Sequence, residues 1–347
     1  MTEGDTTPAP ARKLPIGIGG SAQLGGRVSA SGSSSAVLPR KPTPLVERDA
    51  GSWRRRGVLL ALLRRDPLAA VAALFLGLVV LAALLGHSLV GPSATTMNLD
   101  LRNQPPALSG GSFSHVLGTD PLGRDLLGRI VLAARVSLGI AASVVVISVF
   151  IGTVVGTLAG YFGGLWDDLL MRIVDVFMGF PSLLLVIVIV YAVGPGTVNL
   201  VVVLIGTRWM LYARVARADV LKLRQFEYVE AARAMGASDG RILIRQIVPN
   251  LVPTLLTLAI LEVSVVILAE AGLSFLGLGV PETSWGRLIA EGQKYISSAW
   301  WLVSFPGLVI LLTTMSLATL ANSIVVLLDP AQRTRASSRL RKKQGWP

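Results

Sequence analysis

The stretch that decides the reading is "EYVEAARAMGASDGRILIRQIVP", residues 227–249. It is a polar interlude between two long apolar tracts. Its spacing predicts a short helix whose apolar face carries Tyr228, Ala231, Ala232 and Met235. Glu227 and Glu230 fall in the first turns, where negative charge suits the helix dipole. Gly236 stands where a left-handed C-terminal stop needs glycine. Ser238 or Asp239 then caps a second helix from about Gly240, and Pro249 marks the return to apolar sequence. Paired alanines leave little side chain on the first helix, so a partner can approach closely.

The surroundings say where this element sits. Of the 347 residues, 52% are hydrophobic and only 15% charged, against roughly a quarter charged in average soluble chains. The solvent that suits such a chain is lipid. There are no cysteines, which excludes disulfides and thiolate metal sites. The two histidines, His87 and His115, are far apart in sequence, so no metal cofactor is expected. The net charge of +12 reads as membrane topology rather than nucleic-acid binding, because the basic residues collect at the ends of apolar tracts.

Residues 1–50 are rich in Ser, Gly and Pro with no apolar core, and are expected to form a disordered cytoplasmic tail rather than a signal peptide. Residues 51–66 alternate basic clusters with leucines, as an interfacial helix or a stop-transfer cluster does. From 67 to 330 the chain reads as an all-α, multi-pass transmembrane bundle. A span needs about 20 apolar residues. One runs over 67–90 and a second through the uncharged tract 136–166. The tract 176–207 is too long for one helix and breaks at Gly194-Pro195-Gly196, giving spans over 170–193 and 197–217. The fifth runs over 249–273 and the sixth over 298–328.

Six spans place both termini on one side. Eleven Lys or Arg precede residue 66, eight lie within 208–245 and six follow Asp329, whereas 91–135 and 276–297 hold six between them. The positive-inside bias therefore puts the tails, including the basic 331–347, and the 218–249 loop in the cytoplasm.

The loop "EAARAMGASDGRILIRQIVP" resembles the coupling motif of ATP-binding-cassette importer permeases: Glu230, Ala231 and Ala232, three residues, Gly236, then Pro249 thirteen positions on. Where family members often carry an apolar residue three before the proline, this chain has Gln246. "LGTDPLGRDLLGRIVLAARVSL" (117–138), "GYFGGLWDDLLMRIVDVFMGFP" (160–181) and "AGLSFLGLGVPETSWGRLI" (271–289) are similar to segments of the C-type permease of dipeptide and oligopeptide importers. The resemblance spans about residues 55–330. It departs at Gly128, often a serine, and at Ala321-Asn322 and Val325-Val326, where the family often has Gly-Asp and Arg-Asp. The resemblance implies the type I importer permease fold and coupling roles for Glu230, Ala231, Ala232, Gly236 and Pro249. It also implies a homologous B-type permease partner, one or two ATPase subunits docked on the loop and an extracytoplasmic substrate-binding protein. The implied cargo is peptide, with nickel chelates or other small solutes as the alternative.

Other residues remain open at this level. Glu262 and Glu270 stand in the fifth span, where a carboxylate is costly. Glu262 is expected in a buried contact or on a pore. Glu270 lies either there or near outer water. Asp168 and Arg172 are four apart and are expected to pair on one helix. Arg214 and Arg217 are expected at the headgroups. "GTDPLGRDLLGR" (118–129) is expected outside, as a receiving surface or a structured lead into the second span. No phosphate-binding loop of the Gly-x-x-x-x-Gly-Lys type occurs, so ATP hydrolysis belongs to a partner and no cofactor is assigned to this chain. An ATPase-independent channel or transporter is the rival reading, and a membrane-embedded enzyme lacks the clustered groups it needs.

Overall fold

The computed structural model describes residues 66–328. The tail 1–50, nearly all of 51–66 and the tail 331–347 lie outside the described residues. Helix α1 (Pro67–Thr95) begins with proline in its first turn, where no amide is needed, and Asp66 accepts from the amides of Leu68 and Ala69 at 3.1 and 3.4 Å. A segment of short 3₁₀ turns leads to α2 (Leu126–Phe162), whose N-cap Asp125 accepts from Gly128 N at 2.7 Å. Then follow α3 (Gly164–Met178), α4 (Ser182–Val193), α5 (Thr197–Leu223), α6 (Glu227–Ala234) and α7 (Asp239–Ile242). A π turn, Leu243–Ile247, joins α7 to α8 (Val248–Phe275), and α9 (Trp285–Gly292) and α10 (Trp301–Leu328) complete the described chain. The only bridge among the described residues joins Thr119 and Asp125, so the class is all-α.

Five helices are long and apolar enough to span, and the expected third span is a bent pair instead. Helices α3 and α4 meet at 82° across Gly179-Phe180-Pro181. Pro181 supplies no amide and drives Phe180 out of helical geometry, so one continuous apolar run becomes two short helices.

Contacts show that the pair still crosses once. At one end of the bundle, the Trp285 indole donates to Ile130 O at 3.0 Å and the Trp301 indole to Thr119 O at 3.2 Å. At the other end, Arg224 Nη1 donates to Gly160 O at 3.0 Å. The α3–α4 pair starts at Gly163, 3.6 Å from that Arg224 guanidinium once a Cβ is built, and ends beside Pro195, which shares a cavity with Asp120 and Arg287 at the first end. The described chain therefore makes six crossings. The proline at the second position of α8 explains the π turn: its ring would clash with the carbonyl four residues back, and the widened turn relieves this.

The tightest seam joins α2 and α5. Gly152, Gly156 and Gly160 lie four apart on α2, and a Cβ at Gly156 would stand 2.2 Å from the Ala213 carbonyl oxygen. A Cβ at Gly152 would meet Trp209 O at 2.4 Å. In lipid no hydrophobic force joins helices, so close backbone approach supplies the attraction through van der Waals contact.

Candidate functional site: the Glu227–Ala234 helix and its anchorage

The eight residues of α6 form a surface element held by two side chains. Val229 and Ala232, three apart, are buried and pack with Tyr212, Ala216, Val220, Ile242 and Ile247. This corrects the face expected from spacing. Ala232 points inward, whereas Tyr228, Ala231 and Met235 point out, Met235 being 81% exposed. Ala231 and Met235, four apart, thus make an exposed strip of small and apolar side chain. Glu230 is exposed, and its carboxylate accepts no hydrogen bond from any described residue.

The helix ends as glycine chemistry requires. Gly236 has φ +80°, its amide bonds to Arg233 O at 3.0 Å, and the Ala237 amide bonds to Ala232 O at 3.0 Å. These two bonds are the six-to-one and five-to-two pair of a left-handed stop. Ser238 takes the cap position of α7 in extended geometry, but its side chain makes no cap bond. Asp239 is committed elsewhere.

That commitment ties the loop to α2. The Tyr161 hydroxyl, one residue from the end of α2, donates to Asp239 Oδ1 at 2.6 Å. Arg233 Nη2 donates to the same hydroxyl oxygen at 3.4 Å, and its guanidinium carbon lies 5.9 Å from the Tyr161 ring centre. The hydrogen bond to Tyr161 raises the Arg233 pKa above its ordinary value. With Arg224 on the carbonyls of Gly160 and Tyr161, both sides of α6 are fastened to the same helix end. Sequence reading missed Tyr161, Arg224 and Arg233. The available signal was an aromatic residue at the end of an apolar tract, which marks a membrane interface.

Pro249 lies exposed at the second position of α8, behind the π turn. The structure does not bring Glu262 and Glu270 to this loop. Glu262, 6% exposed, faces Arg208 on α5, with Nη1 to Oε2 at 3.8 Å. Glu270, 1% exposed, accepts from Ser274 and Ser284 hydroxyls at 2.8 and 2.7 Å, so it is a buried polar contact. Asp168 and Arg172 do not pair. Their neighbours do, across helices: Arg217 binds Asp167 through Nε at 2.5 Å and Nη2 at 2.6 Å, and Arg214 binds Asp175 at 2.6 Å. These arginines fasten α3 to α5 rather than reaching only for headgroups. Among the described residues no group of three or more metal-ligand side chains is assembled.

The opposite end carries a second polar assembly. Buried Asp120 accepts from Arg124 Nε at 2.7 Å and Arg129 Nη1 at 2.8 Å. Arg129 Nη2 continues to Glu291 Oε2 at 2.8 Å, and Arg287 Nε reaches Glu291 Oε1 at 3.0 Å. Burial pushes the Glu291 carboxyl up, but the hydrogen bonds and charges of Arg129 and Arg287 outweigh this and hold it below the usual range. The network borders a cavity of about 780 Å³ that also meets Pro195, Lys294 and Tyr295.

The chain was compared with known proteins. A family model described as "binding-protein-dependent transport system inner membrane component" matches residues 152–334. A putative peptide transport system permease protein of Brucella suis is 40% identical over 262 residues, covering 75% of this chain and 86% of the relative. The di/tripeptide transport system permease protein DppC of Pseudomonas aeruginosa is 39% identical over 76% of this chain and 88% of its own. The oligopeptide transport system permease protein OppC of Bacillus subtilis is 34% identical over 78% and 88%. The spans, the match through the α6 loop and the identity across most of the chain agree: this chain belongs to the inner-membrane permease components of binding-protein-dependent transport systems, a multi-pass membrane protein of the ATP-binding-cassette importer type.

Proposed function

We propose that this chain imports peptides as one of a pair of homologous permease subunits, and that α6 is the element through which a separate ATPase drives it. Several relatives are named as permeases for di-, tri- or oligopeptides, which supports peptide as the cargo class and leaves its length open. The observation that carries the coupling role is the split character of α6. One face is exposed, small and apolar at Ala231 and Met235, while the other packs on α5 and α7 through Val229 and Ala232, with Arg233 of α6 and Asp239 of α7 bonded to Tyr161 at the end of α2. An element meant only to close a loop has no need of both. A protein pressing on the free strip moves α2 with it.

The positive-inside bias puts α6 in the cytoplasm, where ATP is. The cavity at the opposite end then faces outward, where a binding protein delivers cargo. ATP-driven closure of two ATPase subunits draws two such helices together and opens the path outward, and hydrolysis reverses it. Each nucleotide state moves the equilibrium only by its differential affinity for the two conformations. This chain does no covalent chemistry itself.

The test uses the assembled complex, isolated in mild detergent through a tag on this chain. Ala231→Glu and Met235→Glu place charge on the free strip without touching the buried face. Cargo-dependent ATP hydrolysis is expected with the unaltered chain and at least tenfold less with either variant, while the second permease stays bound. Isolation of this chain without any ATPase, or full hydrolysis in both variants, overturns the coupling assignment.

A further inference from the structure

The charges that line the outer cavity do not balance. Two carboxylates border it, Asp120 and Glu291, and four cations, Arg124, Arg129, Arg287 and Lys294. Four minus two leaves a surplus of two positive charges. Arg129 is buried and spends Nη1 on Asp120 and Nη2 on Glu291. Arg124 stands on Asp120 at 2.7 Å and Arg287 on Glu291 at 3.0 Å. Each carboxylate therefore already serves two arginines. Lys294 lies exposed in the turn Gln293–Tyr295 that follows α9, and forms no ion pair among the described residues. Exposure rises from the buried Asp120 and Arg129 to Arg287, whose side chain is 40% exposed, and on to Lys294. The surplus thus sits at the rim, where a solute arrives first.

The same cavity has apolar walls. Leu126 of α2, Leu288 of α9 and Leu302 of α10 line it, each buried, beside the half-buried Tyr295. Its volume of about 780 Å³ falls within the roughly 300–1,000 Å³ of small-molecule sites. A cleft with low-dielectric walls focuses the field of its charges. A positive surplus there draws in an anion and repels an ammonium group. Apolar walls under a cationic rim are complementary to a carboxylate carried beside an apolar side chain.

We propose that this cavity is an entry subsite for the C-terminal end of a peptide, Lys294 and Arg287 drawing its carboxylate to the rim and Leu288 and Leu302 facing its last side chain. This rests on the peptide-importer reading and on the outward placement of this end of the bundle. Asp120, Arg124, Arg129 and Glu291 are positioning residues: they tie the start of α2 to α9 and so fix the wall on which the surplus stands. The peptide enters this chain's mouth carboxyl end first.

The test is uptake into vesicles containing the whole complex with its binding protein. The probes are alanyl-phenylalanine, its N-acetyl form and its C-terminal amide, each supplied at concentrations that fill the binding protein equally. The quantity read is uptake of the free dipeptide divided by uptake of the amide. Lys294 has no ion pair to break, so its variants are expected to assemble normally. Lys294→Gln removes one exposed attraction and is expected to lower the ratio about threefold. Lys294→Glu adds repulsion and is expected to lower it about tenfold, while Lys294→Arg keeps the charge and the ratio. The N-acetyl form keeps its carboxylate and is expected to fall with the free dipeptide. Equal loss for all three probes means that Lys294 meets an acidic side chain of the binding protein instead, and overturns the proposal. A ratio that is the same in all four chains overturns it too. If the unaltered complex moves none of the probes, the peptide reading itself falls and the subsite with it, a failure distinct from one confined to the variants.

Discussion

Replacing Gly236 isolates the contribution of one backbone angle to coupling. Its φ is +80°, and a Cβ built there meets nothing within 4 Å. Alanine therefore brings no clash, and its whole penalty is the left-handed backbone, about 1–2 kcal/mol. That weakens the stop that ends α6 by roughly 5–30-fold. Asparagine enters this region routinely and is expected to lose less. Proline cannot reach a positive φ, and it removes the amide that bonds Arg233 O at 3.0 Å, so the stop must come apart. Cargo-dependent ATP hydrolysis by the assembled complex should fall in the order Gly, Asn, Ala, Pro, with alanine losing at most the factor above. The amount of ATPase retained on the tagged chain should follow the same order. If alanine and asparagine match glycine and proline does as well, the geometry of this turn has no part in coupling and the role given to Gly236 falls.

Gly156→Leu should separate α2 from α5, because its Cβ would stand 2.2 Å from Ala213 O. Overpacking costs about 1–3 kcal/mol or more, so a marked drop in the unfolding temperature of the detergent-solubilised chain is expected, while Gly139→Leu, with open space around its Cβ, should be near neutral. Tyr161→Phe leaves the ring and removes the donor to Asp239, and one hydrogen bond to a charged partner contributes roughly 1.5–3 kcal/mol. Reduced coupling with intact assembly, measured as transport per ATP, is the expected result. The lowered pKa of Glu291 makes a pH test: its contribution to stability is fully present above the unfolded glutamate value of about 4.3 and is lost as pH falls through the lower folded value. The difference in thermal stability between the unaltered chain and Glu291→Gln should be flat above about pH 5 and shrink below that. A difference that grows on acidification would show that the Arg129–Glu291–Arg287 contacts do not hold this carboxylate charged.

The spans were legible because hydropathy acts over 20 residues and survives local surprises. Gly194-Pro195-Gly196 was legible from local chemistry alone, and the turn falls there. Pro181 was not read as a break, because the apolar run continues through it and hydropathy does not register a missing amide. On α6, spacing could not choose between two faces. An eight-residue helix offers Tyr228, Ala231 and Met235 on one side and Val229 and Ala232 on the other, and the choice falls to the neighbouring α5 and α7. Asp168 and Arg172 had the right spacing to pair, yet the helix turned Asp167 and Asp175 toward Arg217 and Arg214. Long-range partners overrule an i,i+4 rule worth a few tenths of a kcal/mol. Tyr161, 78 residues from Asp239 in sequence, was out of reach of any local rule.

The glycine seam between α2 and α5 has a mechanical consequence. Helices in backbone contact at three successive turns cannot slide without collision, so they behave as one stiff lever. With 37 residues, α2 is about 55 Å long. A tilt of about 5° imposed at the Tyr161 end displaces the Leu126 end by about 5 Å over that length. The outer end of this lever carries Arg129, and with it the rim of the outer cavity. On the proposed coupling, a small push beneath the membrane would reach the rim of the outer cavity through this one lever.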